Sequence, residues 1–132
     1  MIRTENIAQE FLSHLKNRNL QSLVSLFHQE VLWEIPGDIH LIKWLGKRKN
    51  RNEVEEFYKL LWDSTNAISA AITCIIVQGK DIIIKGSFTS EMCATKKRVT
   101  SLFFIHMVVI DGLIAEYTLL EDSFAVSEAM KN

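Results

Sequence analysis

Ser101 to Ile110 reads SLFFIHMVVI, Leu113 to Asp122 reads LIAEYTLLED, and only Asp111 and Gly112 stand between them. Two β-branched and aromatic runs joined by an Asp-Gly pair specify a tight hairpin, because such a turn needs positive φ and glycine adopts it without steric cost. The loop length also dictates partners. Opposing Ile110 to Leu113 pairs Ile105 with Thr118, Phe103 with Leu120 and Ser101 with Asp122, and places Met107 and Glu116 on the same face. The other face then carries Leu102, Phe104, His106, Val108 and Ile110 opposite Leu119, Tyr117, Ala115 and Leu113. Both faces are largely apolar, so both need cover: one from helices, the other from a second sheet or subunit. A homodimer through the face bearing Phe104, His106, Val108, Tyr117 and Leu119 is the economical expectation.

Upstream, the period is helical. Ile7, Phe11 and Leu15 recur at four-residue steps behind Thr4 as a possible cap, and Leu20, Leu23, Val24 and Phe27 mark a second, shorter helix. Val31 to Ile35 reads as a strand stopped by Pro36-Gly37, and residues 38–49, which carry Trp44, as a long loop. Asn52 with Glu55 resembles a capping box for a third helix whose face holds Val54, Phe57, Tyr58, Leu61 and Trp62. Strands follow at 68–78, 82–92 and 99–110, and a short helix closes the chain over 123–130 with Asp122 or Ser123 as its cap.

With 132 residues, 48% of them apolar, the chain fits one domain over residues 1–132. Fifteen basic against 16 acidic residues give a net charge of -1, which argues against steering toward nucleic acid or an anionic membrane. The basic clusters Lys47 to Arg51 and Lys96 to Arg98 lack interleaved aromatic residues and read as solvated loops or sites for an acidic group. The N-terminus lacks the apolar core of a secretory signal and no apolar run reaches a bilayer span, so a cytoplasmic location is expected. Cys74 and Cys93 are isolated and read as two buried thiols. No metal-ligand spacing, glycine-rich phosphate loop or nucleophile elbow occurs, so neither a metal nor a cofactor is expected.

The motifs VLWEIPG, Trp44-x-Gly46, a helix carrying EEF and DGLIAEYTLLED, set in a helical front half and a meander of long strands, resemble the SnoaL-like, ketosteroid isomerase-like branch of the nuclear transport factor 2-like superfamily. The resemblance implies an α+β fold: a cone-shaped, strongly curved mixed sheet with three N-terminal helices closing its concave face over an apolar pocket. It also allows a test of one chemistry. The isomerase tyrosine falls on Phe11, its carboxylate base on Ile35 and its second aspartate near Ile105, so that mechanism lacks every polar group it requires. The limonene epoxide hydrolase pattern fails too, since no Arg-x-Asp stands around Ser87 to Glu91. Asp122 matches the aspartate that closes the last long strand in SnoaL-like cyclases.

The hairpin register and the resemblance together place Asp122 in the pocket as a general acid or base, raised in pKa by desolvation, against the plainer role of helix cap. Trp33 and Ile35 share a strand face and, with Trp44, Phe57, Leu61, Ile105, Met107 and Thr118, would line the pocket for a small apolar molecule, unless they are ordinary core. His106 faces Tyr117 and neighbours Glu121, which could orient it as a base, but an interface or core hydrogen bond is the simpler reading. His14, His28 and His40 receive no role. Two functions stand open: a cofactor-independent isomerase, cyclase or hydratase using Asp122, and a non-catalytic ligand-binding or protein-interaction module on the same fold.

Overall fold

The computed structural model describes residues 3–132. Helices α1 (Thr4–Lys16) and α2 (Leu20–Val24) lead into strand β1 (Phe27–Ile35) and the short β2 (Gly46–Asn50). Helix α3 (Arg51–Ser64) precedes β3 (Thr65–Gln78), β4 (Asp81–Met92), β5 (Arg98–Ile110) and β6 (Leu113–Glu121), and α4 (Ser123–Ala129) ends the chain. The six strands form one curved mixed sheet in the order β2-β1-β6-β5-β4-β3, antiparallel except that β1 runs parallel to β6. Helices lie across its concave face, so the expected α+β cone is the fold observed.

Each helix is held by its apolar stripe. Ile7, Ala8 and Phe11 of α1 and Val54, Phe57 and Tyr58 of α3 are buried against inward residues of the sheet. Thr4 is the first residue of α1 and Arg3 occupies the cap position without a side-chain hydrogen bond. The cap of α3 lies two residues earlier than the Asn52 pattern predicts: Asn50 Oδ1 accepts from the Glu53 amide at 2.9 Å. Residues 46–49 of the expected loop, together with Asn50, form strand β2, paired antiparallel with β1. β1 itself begins at Phe27, which sequence periodicity assigns to the second helix.

The turn at Asp111-Gly112 has φ of 52° and 78°, the doubly positive conformation anticipated. Ile110 pairs with Leu113 and Val109 with Ile114; there the simple register ends. A bulge takes up Ala115, Val108 pairs with Glu116, and from that point Met107 faces Tyr117, His106 faces Thr118, Ile105 faces Leu119 and Phe103 faces Glu121. One extra residue exchanges the two faces of the rest of β6. Tyr117 and Leu119 therefore turn inward and cannot belong to an outer dimer face, while Thr118 and Leu120 turn outward. Close approach shapes the adjoining strands as well. A Cβ on Gly86 would lie 2.4 Å from the Ala71 carbonyl oxygen and 2.6 Å from the Phe103 ring, so only glycine fits there.

Candidate functional site

The inner face is centred on Trp33, which is 1% exposed. Its ring stacks on Tyr117 at 3.9 Å and 12°, receives Phe57 edge-on at 4.9 Å and stands at 87° to Tyr58 at 6.0 Å. Phe27 and Phe11 extend this aromatic group on its Tyr117 side. Ile35, Trp44, Ile105 and Met107 are buried in the same cluster, and Leu61 packs against it. The structure thus brings seven of the eight expected pocket residues together. Thr118 is the exception, carried to the outer face by the bulge.

Asp122 also departs from expectation. Its side chain is exposed, and Oδ1 accepts from the Ala125 amide at 3.0 Å as the N-cap of α4. Its own amide donates to Ser101 Oγ at 2.9 Å. The carboxylate that reaches the inner face is its neighbour Glu121, in line with Leu119 and Tyr117 along β6 and opposite the inward Phe103. Glu121 keeps some accessible atoms bordering the outer groove, yet its carboxyl group is largely surrounded by protein and takes part in no ion pair among the described residues. Burial, and secondly the negative charge of Asp122, push its pKa up to about 7. Sequence reasoning missed both Glu121 and Tyr117.

Three buried polar atoms in and beside the aromatic group lack a hydrogen bond of ordinary geometry: Trp33 Nε1, Arg48 Nε and the Tyr58 hydroxyl, which makes only a longer contact with the Tyr117 hydroxyl. Arg48 lies directly across the β1–β2 ladder from Trp33, holds its guanidinium 5.6 Å from the Phe57 ring centre and donates through Nη1 to the Glu53 carbonyl at 2.9 Å. Desolvation lowers its pKa. Burial raises that of Tyr58 well above the ordinary phenol value, and raises that of Tyr117, assisted by the charge of Glu121.

The outer face is different in kind. Leu102, Phe104 and Leu120 are 60%, 45% and 53% exposed and border a groove of about 500 Å3 that ends at Glu121 and Asp122. A second groove of about 670 Å3 runs between β1, β2 and the bulge at Ala115. His106, expected beside Glu121, pairs instead with Asp81 at 2.8 Å. Cys74 is exposed and Cys93 partly so, contrary to the reading of two buried thiols. Among the described residues no three His, Cys, Asp or Glu side chains are grouped to hold a metal ion, and no helix is long and apolar enough to cross a membrane.

A curved mixed sheet closed by helices is the fold of solved nuclear transport factor 2-like proteins, and the chain shares it. The chain belongs to the SnoaL-like domain family, whose model matches residues 8–117. Glu121 and Asp122 lie beyond that matched span. A nuclear transport factor 2-like protein from Burkholderia thailandensis superposes with a TM-score of 0.89 at 14% identity over 100% of both chains. TerC, crystallised with polyporic acid, superposes at 0.82 with 16% identity over 98% of each chain. An epoxide hydrolase of the LEH-like type from M. tuberculosis gives 0.74 with 12% identity, covering 96% of this chain and 88% of its own. Among curated proteins none matches the chain by sequence.

Proposed function

We propose that this chain binds a small, mostly apolar molecule between its helices and the inner sheet face and moves a proton through Glu121, as a cofactor-independent isomerase, cyclase or hydratase. The observation that carries this reading is the placement of Glu121: an enclosed carboxyl group with no ion-pair partner, in the same inward row as Tyr117. At a pKa of about 7 it is present in both protonation states near neutral pH, which suits it to accept and return a proton. Tyr117, buried and held protonated, can donate to developing negative charge but cannot act as a base. The fold is shared with an epoxide hydrolase and with a protein crystallised with polyporic acid, which supports small-molecule chemistry on this scaffold without naming a reaction. Ketosteroid isomerisation by a tyrosine and two aspartates is not proposed, because Phe11, Ile35 and Ile105 are all buried apolar residues.

Binding at this site requires inner side chains to move aside for the ligand, since the aromatic group is in mutual contact. The test is a screen of small enones, epoxides and cyclic ketones with wild-type protein and two variants. Glu121→Gln is expected to lower any turnover about 100-fold or more, and Asp122→Asn to leave it within about threefold. Activity that survives Glu121→Gln and disappears in Asp122→Asn would return the chemistry to Asp122.

The exposed Leu102, Phe104 and Leu120 favour a further part of this reading, a homodimer through the outer face. Light scattering at micromolar concentration should give twice the chain mass, and Phe104→Lys should halve it. A monomeric wild-type mass contradicts the dimer.

A further inference from the structure

The three unpartnered polar atoms are not scattered. Trp33 and Tyr58 are each 1% exposed, their rings meet edge to face, and Arg48 is the cross-strand partner of Trp33. Leaving a buried donor unpaired is costly, and native proteins do so rarely, so three in one connected group of side chains call for a partner. The set has a chemical sign. Trp33 Nε1 and Arg48 Nε can only donate, and the Tyr58 hydroxyl is held in its donor-competent protonated form by burial. Arg48 brings a positive charge that forms no ion pair among the described residues. Glu56 and Glu53 act on Arg48 from a distance without closing an ion pair with it, so the three unpartnered atoms themselves present only donors.

We propose that Trp33 Nε1, Arg48 Nε and the Tyr58 hydroxyl form a subsite for an anionic oxygen, so that the molecule bound on the inner face is an aromatic or alicyclic carboxylate or phenolate rather than a plain hydrocarbon. This rests on the small-molecule reading above but not on Glu121 as its proton-transfer group. Aromatic walls supply contact for the ring and the donors orient it by its oxygen. The guanidinium adds charge-assisted hydrogen bonding, which is stronger than that between neutral partners. The Tyr58 phenol also makes an unusual prediction about stability. Replacing Tyr58 with phenylalanine removes a hydroxyl whose one contact in the ligand-free protein, with Tyr117, is long, so the variant should be about as stable as the wild type while binding worse.

The experiment follows tryptophan fluorescence while 2-naphthoate or naphthalene is titrated into the full chain, with thermal melts of each variant. 2-Naphthoate should bind at least about 10-fold more tightly than naphthalene. Tyr58→Phe should lower naphthoate affinity about 10-fold, leave naphthalene unchanged and keep or raise Tm; Arg48→Gln should lower naphthoate affinity further. Equal affinity for the two probes, or binding of neither, overturns the subsite. So does a Tyr58→Phe variant that melts lower with probe preference intact, which would show the hydroxyl satisfied by buried water. Glu121→Gln keeps the naphthoate preference in this account. A preserved preference with turnover unaffected by Glu121→Gln would therefore remove the proton-transfer reading and leave the anion subsite standing.

Discussion

The two faces of the β5–β6 hairpin are drawn from the same alternating sequence, yet one holds stacked aromatics and an enclosed carboxyl group while the other exposes leucine, phenylalanine and threonine. Glu121 and Asp122 condense that contrast into adjacent residues. Glu121 points into protein and is pushed up to about 7; Asp122 is exposed and caps α4. Chemical type does not separate them, since both are carboxylates. Position relative to one bulge does, since a register drawn without it puts Asp122 rather than Glu121 on the inner face.

The contrast breaks most completely if β6 is shifted by one residue beyond the bulge. Inserting one residue after Ala115 would move the rest of β6 one step along its ladder, turning Glu116, Thr118 and Leu120 inward and expelling Tyr117 and Leu119. A loss on the order of 5 kcal/mol or more is expected, seen as failure to fold or a collapsed denaturation midpoint. A stable, cooperatively unfolding insertion variant would show that β6 tolerates either facing. Tyr117→Ala, which empties the space beside Trp33, should cost about 4 kcal/mol in denaturant unfolding, against less than about 1 kcal/mol for Leu120→Ala three residues on. Similar losses at the two positions would erase the distinction between inside and outside.

A smaller effect comes from protons. Because the folded pKa of Glu121 lies above its ordinary value of 4.5, the folded state holds its proton longer than the unfolded state does. Stability is therefore full below about pH 4.5 for this group and declines as pH rises through about 7, by up to about 3 kcal/mol. Glu121→Gln should flatten that decline, measured as denaturation midpoints between pH 4 and 8. A profile identical to wild type would mean that Glu121 is not desolvated. The least costly change is at the cap: Asp122→Ala should lose about 1 kcal/mol and Asp122→Asn very little, because asparagine caps nearly as well.

Much of this was legible in the residues. The apolar stripes on α1 and α3, including Phe57, the doubly positive Asp-Gly turn and the long strands of the second half each follow from local pattern, and Trp33, Ile35, Ile105 and Met107 are gathered where alternation puts them. What escaped is a single residue of slippage. Strict alternation from Ile114 buries Glu116 and Thr118 and exposes Tyr117, an unfavourable trade that a bulge at Ala115 reverses; that mismatch was the available signal. The strand β2 was hidden because GKRKN is polar and charged, and it pairs along an edge where only every second residue turns inward. The unpartnered donors could not have been foreseen, since tryptophan, arginine and tyrosine announce nothing of their partners until cross-strand and ring contacts are known.

Glu121, not Asp122, is the carboxyl group built into the interior. Carbon-detected NMR titration of a glutamate-labelled chain, with Glu121→Gln to assign the resonance, measures it directly. This account predicts that the Glu121 carboxyl titrates near pH 7, well above the other glutamates. A Glu121 midpoint near 4.5 would place it in solvent and contradict the account.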